Sequence, residues 1–355
     1  MILGVLLCAC TATASAAPMT ADRLQATCPS ASEIAQFDAD FTITYDSDPT
    51  AGTLVCTAAS GSADLTRLKE RMYQGLRLAR AMTFSRPLPW TPLSLYDWLK
   101  TAAPRIHVTD GHQAECCDAS GAIVIGNDPN AYGYLSQLDA SGLLSLLDVL
   151  VHEARHREGP VHTCGTDDQT VAEEGAWTVE AQLRLWEGLY GGAVLTGPAA
   201  DPGIRRTAGL LAGAQYLDDH ICDPRPSSDV APTVGTPHRV RHGRTFRMVI
   251  DVANRGTDTS EETFAVLEIP KGMRFDGGDS HCALTLATRQ MICALGALAP
   301  GSSVRVRPRF RVTARSGARI RSDYLSGLGE VRAVTLGKQS NVADDGGDYS
   351  MIVRR

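Results

Sequence analysis

Nothing inside this chain reaches the ~20 consecutive apolar residues that a helix needs to cross a bilayer, so no transmembrane span is expected. Long lysine and arginine blocks are also missing. The balance is acidic, with a formal net charge of −6 and a pI near 5.9. Nucleic-acid binders carry a basic patch or stripe, so nucleic acid is not an expected partner. No internal repeat is visible. The ten cysteines contain no C-x-x-C pair, the spacing that cysteine-ligated zinc sites usually show. What is present is 43% apolar and 21% charged residues, which excludes a wholly disordered or fibrous chain. A length of 355 residues fits two domains and a processed end.

Met1 to Ala17 reads as an apolar core followed by small residues, with Ala14-Ser15-Ala16 as an A-x-A cleavage site. That is the pattern of a signal peptide spanning residues 1–17. Leu7-Cys8-Ala9-Cys10 also resembles a lipobox with Cys10 as the acylated residue, which would add a lipid anchor at the cell envelope. Removal of the leader leaves eight cysteines, an even number suited to disulfides in an oxidising compartment. Cys28–Cys56 and Cys282–Cys293 are the natural pairs. Adjacent cysteines seldom bond each other, so Cys116 and Cys117 are expected to reach Cys164 and Cys222, in either order.

Pro18 to Ser60 looks like a small β unit, with strands at Phe41–Tyr45 and Thr53–Cys56. Apolar residues at three- and four-residue spacing predict an amphipathic helix over Asp64–Met82. A short helix is expected over Leu93–Lys100, and short strands over Arg105–Thr109 and Ala122–Ile125. A helix from Asp139 or Ser141 to about Arg157 is apolar nearly all round, which marks it as central and buried. A last helix is expected over Val171–Leu189. Four prolines in Asp223–Pro237 give that stretch a linker composition. Beyond it, Phe246–Val252, Thr263–Ile269 and the strictly alternating Val304–Val312 predict strands of an antiparallel sandwich. The fold class expected is α+β. Residues 18–222 would carry the chemistry, 223–237 the linker and 238–355 the sandwich.

The chemistry sits at the end of the buried helix. His152-Glu153-Ala154-Arg155-His156-Arg157-Glu158-Gly159-Pro160-Val161-His162 is HExxHxxGxxH without a gap. Residues four apart share a helix face, so His152 and His156 can present ring nitrogens to one zinc ion. Glu153 lies beside that face and is the candidate general base. Gly159 can adopt the left-handed conformation that ends a helix. The returning chain then offers His162 as third ligand. In a chain of this composition the full pattern arises by chance roughly a few times in 10^5.

This element resembles the metzincin zinc peptidases, specifically over Val151–His162 and loosely over Asp64–Leu189. The resemblance implies a zincin-like catalytic domain, Zn2+ on His152, His156 and His162, and Glu153 as general base. It also implies an edge strand that binds peptide by strand addition, for which Gly121–Gly126 is the candidate. Metzincins carry a methionine turn after the third histidine; here no methionine occurs between Met82 and Met248. The gluzincin scheme therefore stands as an alternative, with a glutamate on the later helix as third ligand: Glu173 or Glu174, with Glu180 on the same helix. Asp167 and Asp168 are placed to orient a histidine ring. Tyr132, Tyr134 and Arg155 are the candidates for stabilising an oxyanion.

The segment Arg239–Ala333 resembles the immunoglobulin-like conserved-repeat domains of bacterial surface proteins, through Asp251–Gly256, Ile269–Met273 and Cys293–Gly301. That resemblance implies spacing or adhesion. Arg305, Arg307, Arg309 and Arg311 form a stripe expected to be a solvated face. Taken together, the sequence leads to an exported, zinc-dependent metallohydrolase acting on peptide or amide bonds of a peptide or protein substrate. The alternative is a cell-envelope adhesion or scaffold protein with a structural or vestigial zinc site.

Overall fold

The computed structural model describes Leu24 and residues 27–46, 68–109, 114–126, 140–191, 202–223, 228–285, 289–322, 330–340 and 345–355. It is a mixed α+β structure, with helices and one small sheet in the first part and several antiparallel sheets in the second. Helix α1 (Ala31–Asp40) lies where only a β unit was expected. Its signal is present in the sequence: the Ser30 hydroxyl accepts the Glu33 N–H and the Glu33 carboxylate accepts the Ser30 N–H, a capping box. Strand β1 (Thr42–Tyr45) then pairs in parallel with β2 (Arg105–Thr109). Thr53–Cys56, Cys56 and the proposed leader lie outside the described residues.

Helix α2 (Leu68–Ala81) forms within the stretch whose apolar spacing predicts it, and α3 (Leu95–Ala102) forms where a short helix is expected. β3 (Glu115–Cys116) and β4 (Ile123–Gly126) complete a four-stranded sheet of order β1-β2-β4-β3. β2 and β4 are parallel, and β3 runs antiparallel on the outside. Among the described strands the outer one on this side is β3. The Gly121–Gly126 segment, expected to be exposed for strand addition, is covered along Ile123 and Val124 by Cys116 and Glu115.

α4 (Ala140–Arg157) crosses this sheet. Its Leu143, Leu144, Leu146, Leu147, Leu150 and Val151 are all buried, because α2, α3, the sheet and α5 (Ala176–Tyr190) surround it. The helix expected over Val171–Leu189 is broken. A short 3-10 turn at Val171–Glu173 ends at Glu174 with φ of 48°, and α5 starts afresh after Gly175. A further helix, α6 (Pro202–His220), was not legible. Pro202 suits a first helical position, but Gly203, Gly209 and Gly213 lower helix propensity and no clean apolar stripe marks a buried face.

In the second part, β5 (Val230–Gly235) falls inside the stretch read as a linker and pairs with β8 (Val249–Asn254). Its Pro232 and flanking prolines disguised it. The alternating run expected as one strand is two, β13 (Ser303–Val306) and β14 (Arg309–Val312). The break falls at Arg307-Pro308, because proline has no N–H to give the ladder. β13 joins β8, whereas β14 joins β7 (Thr245–Arg247) and β10 (Met273–Phe275). Arg305 and Arg309 are exposed and pair with Asp251 and Asp276, as a solvated face does. β6 (Arg239–Arg241) and β15 (Arg319–Arg321) flank β18 (Ser350–Arg354), and β18–β6 is a parallel pair in this otherwise antiparallel part.

The largest sheet is β11 (Cys282–Thr285), β12 (Gln290–Gly296), β9 (Thr263–Glu268), β16 (Val331–Thr335) and β17 (Gly346–Gly347). β9 is buried along its whole length. Ala265 and Leu267 face the core of the β part, and Phe264 and Val266 join the core of the helical part. A strand covered on both faces reads as a continuous apolar run, which is what Phe264–Leu267 shows.

Cys282 and Cys293 face each other across β11 and β12 and are bonded, as expected. Cys28 is disulfide-bonded as well. The other expected pairing is corrected. Cys164 bonds Cys222, and Cys116 bonds Cys117. The Asp168 N–H donates to His220 and the Cys222 N–H to Asp168. That pairing lays the 164–168 loop against the end of α6 and matches Cys164 with Cys222. Non-reducing peptide mapping of the full chain is expected to recover Cys164–Cys222 and Cys282–Cys293 as bridged peptides, with Cys116 and Cys117 unalkylated in one peptide. Recovery of a Cys116–Cys164 or Cys117–Cys164 peptide would contradict the structure.

Candidate metal centre

The end of α4 is built to gather imidazoles. His152 and His156 lie one turn apart on one face. After Arg157 the helix stops. Gly159 takes a φ of +118°, a conformation that side-chain-bearing residues rarely adopt, and Pro160 follows. The reversal returns His162 to its two predecessors. One ring nitrogen from each of His152, His156 and His162 lies within 4.8 Å of the others, so the three could hold a metal ion. The Nε2 atoms of His156 and His162 are 3.2 Å apart.

The other ring nitrogens decide what this proximity means. His156 Nδ1 lies 2.8 Å from the Pro160 carbonyl oxygen, which can only accept, so this Nδ1 carries the proton. His162 Nδ1 donates to Asp168 at 3.2 Å and His152 Nδ1 to Glu180 at 3.2 Å. Each ring, when neutral, thus turns an Nε2 lone pair inward. Two such lone pairs facing each other at 3.2 Å repel unless a cation or proton sits between them. Carboxylate–histidine and carbonyl–histidine pairs of this kind are the usual orienting shell of metal-bound histidines.

Each acceptor is itself held. Asp168 is 1% exposed, and its second oxygen accepts the N–H of Thr178 at 2.9 Å, which caps the first turn of α5. Gly175 makes this approach possible: a Cβ there would lie 2.4 Å from the Asp168 carboxylate carbon. Glu180 belongs to a two-rung ladder between helices. One turn before His152, Asp148 pairs with Arg184, which lies one turn after Glu180. Breaking a buried pair of this kind costs about 3–5 kcal/mol, so the ladder fixes the register of α4 against α5. The Trp177 ring stands edge-on to His152, with centroids 4.5 Å apart.

The centre opens into a cavity of about 710 Å³. Glu153 lines it at 5% exposure, and its Oε2 has no hydrogen-bond partner among the described residues. Burial, reinforced by the charges of Glu115 and Glu180, pushes the Glu153 carboxyl up to about 8. Burial pushes His152 down to about 3 and lowers His156, keeping both neutral and ligand-competent at ordinary pH.

Most residues singled out from the sequence converge here. Asp168 orients His162, and Asp167 bonds His220 Nδ1 at 3.0 Å. Glu180 is present as an orienting partner of His152. Among the described residues the group that could hold a metal ion consists of the three histidines, without Glu173 or Glu174. The Glu173 carboxylate accepts from Thr163 and Gln169. Arg155 pairs with Glu158, so it is turned away from the cavity. Tyr132 and Tyr134 lie outside the described residues. The sequence did not single out Trp177, Tyr216 and His220 as site residues. The last two sit on the unforeseen helix α6, and no local spacing ties them to the motif.

No protein-family model matches the chain, and no curated protein matches it. Among solved structures it is similar to the CARDB domain of a Pyrococcus furiosus protein at 11% identity, covering 36% of this chain and 94% of that one with a TM-score of 0.25. It is also similar to a cohesin module of a Clostridium perfringens family 33 glycoside hydrolase, at 9% identity, 36% and 98% coverage and a TM-score of 0.27. A non-cellulosomal cohesin from Archaeoglobus fulgidus matches at 14% identity, 35% and 91% coverage and a TM-score of 0.25. Likenesses of this size carry nothing about the chemistry of the site.

The raised Glu153 carboxyl makes a stability prediction for the metal-free chain. A group whose pKa rises from 4.5 to about 8 on folding binds more protons in the native state across that window. The associated stability is complete below about pH 4.5 and is lost as pH climbs toward 8. With a chelator present, the melting temperature of Glu153→Gln should therefore gain on wild type steadily between pH 5 and 8. A gap that stays constant over that range would show that Glu153 is not held protonated by its surroundings.

Proposed function

We propose that this chain is an exported, zinc-dependent hydrolase of peptide or amide bonds, with a zincin-like active site. The observation that carries the reading is the pair of inward-facing Nε2 atoms 3.2 Å apart, each on a ring whose Nδ1–H is already committed. Two nitrogens bound to one tetrahedral zinc at about 2.0–2.1 Å sit about 3.3–3.4 Å apart, so the spacing fits that ion. His152, His156 and His162 would hold it. Three protein ligands leave a position open, the mark of catalytic rather than structural sites.

Zinc held there supplies Lewis-acid chemistry, polarising a carbonyl and acidifying water. The chain's own residues supply the rest. Glu153 projects about 100° around α4 from His152, so it lines the cavity without being a ligand. A nearby cation offsets the burial and like-charge repulsion that keep Glu153 protonated, returning it to the carboxylate a general base needs. Glu153 takes a proton from water as the water oxygen bonds to the carbonyl carbon. It hands that proton to the leaving nitrogen as the C–N bond breaks.

The disulfides suit an oxidising compartment, and no helix among the described residues is long and apolar enough to cross a membrane. These facts support export, with association to the cell envelope through a lipid anchor or the β-rich part. The reading departs from metzincins in the residues packed against the histidines. Trp177 and Glu180 of α5 stand against His152, and no methionine occurs between His162 and Met248.

Metal analysis of the purified full chain is expected to find about one zinc per chain, lost in His152→Ala and His156→Ala. Glu153→Gln should keep zinc and fold while losing at least ~10^2-fold in turnover on a peptide library. Zinc-loaded wild type that cleaves nothing would return the scaffold reading. Glu180→Gln and Asp168→Asn are expected to weaken zinc by about 10–100-fold in competition with a chromophoric chelator. Unchanged affinity in both variants would remove the orienting role assigned to these carboxylates.

A further inference from the structure

His220, the last residue of α6, is a fourth imidazole in the cavity wall and is not one of the three that converge. Its ring is fixed from several directions. Nδ1 lies 3.0 Å from an Asp167 carboxylate oxygen. One face stacks on Trp177, with centroids 3.7 Å apart and planes 4° from parallel. Trp177 is anchored in turn by its Nε1–H to the Thr166 carbonyl at 2.8 Å. The His220 carbonyl accepts the Asp168 N–H at 3.1 Å, and the Cys164–Cys222 disulfide closes the same corner. His220 Nε2 has no hydrogen-bond partner among the described residues. The ring shares the cavity wall with His152 and Glu180, and Trp177 stands between it and His152, stacked on the one and edge-on to the other.

A ring kept only for packing needs no carboxylate behind it. Asp167 is a partly exposed side chain that contributes little to burial, yet it holds the ring in one orientation and compensates a positive charge on it. Among the described residues no lysine or arginine lines the cavity. Hydrolysis of a carbonyl compound nevertheless develops negative charge on oxygen, and a preorganised donor aimed at that charge is usually a large part of catalysis.

We propose that the His220–Asp167 pair is the anion-stabilising donor of this cavity, a role that rests on reading the site as a hydrolase. Water's oxygen bonds to the carbonyl carbon, its proton passes to Glu153, and the carbonyl π pair moves onto oxygen. The protonated His220 ring donates its Nε2–H to that oxygen as a hydrogen bond and keeps the proton. When the C–N bond breaks, the pair returns to the carbonyl and the hydrogen bond is released.

The test uses the zinc-loaded full chain, with inorganic phosphate as a tetrahedral oxyanion probe, measured by calorimetry beside metal analysis. His220→Phe retains an aromatic ring on Trp177 but removes the donor. It should keep one zinc and bind phosphate about tenfold more weakly. Asp167→Asn, at a partly exposed position, should give an intermediate loss. Tyr216→Phe, one turn earlier in the wall, should change phosphate affinity less than His220→Phe does. On any peptide that wild type cleaves, His220→Phe should lower kcat about 10^2-fold with KM nearly unchanged. The inference is overturned, with the zinc reading intact, if zinc-loaded wild type and His220→Phe bind phosphate equally. It is overturned likewise if Tyr216→Phe carries the loss instead, or if His220→Phe loses zinc and so reveals a ligand. Wild type that takes up no zinc overturns both.

Discussion

Three imidazoles with their Nδ1 protons committed outward leave three lone pairs aimed at one point, and the surrounding structure maintains that arrangement. Without a cation it is an electrostatic cost. His156 and His162 cannot relieve it by changing tautomer, because Pro160 offers only a carbonyl oxygen and Asp168 only a carboxylate. Each acceptor is tied to a different piece of chain. Pro160 belongs to the turn after α4, Asp168 to the disulfide-clipped loop, and Glu180 to α5. The three-histidine cluster therefore lies where α4, its turn, the loop and α5 meet, and any ion bound there would add its binding free energy to the stability of all of them.

The same region shows where stability has been given up. Glu153 is buried with an unpartnered oxygen and two acidic neighbours, an arrangement that destabilises a metal-free fold at neutral pH. The Asp148–Arg184 pair one turn away is a buried charge that is fully partnered. The contrast is informative. Where a charge serves the docking of α4 on α5 it is neutralised, and where it faces the cavity it is left open. Unsatisfied buried groups of this kind concentrate at functional sites.

The β part does more than follow the helical part. β9 presents Ala265 and Leu267 to one core and Phe264 and Val266 to the other, and Arg86 pairs with Glu262 just before that strand. Lys338 reaches the carbonyl of Ile221, directly after α6. The helix carrying His220 is thus held between the site loop on one side and the β part on the other. That arrangement gives the C-terminal half a mechanical link to the cavity wall.

The sequence by itself determined that three histidines converge. His152, His156 and His162 could be read because helical spacing and a glycine-proline stop are local rules, and Glu153 beside them came from the same spacing. It also determined α2, α3, α4 and the Cys282–Cys293 pair, since periodic burial and neighbouring cysteines on a short hairpin leave local traces. Only the tertiary structure decided which oxygen orients which ring, because Asp168 and Glu180 reach the histidines through folding, not through spacing. It decided as well the pairing of Cys164 with Cys222, the strand hidden among the prolines of the supposed linker, and the division of Val304–Val312 at Pro308. The same holds for α6 and His220. A glycine-rich helix with no clean apolar stripe is stabilised by what packs on it, and that information is spread over residues far away in the chain.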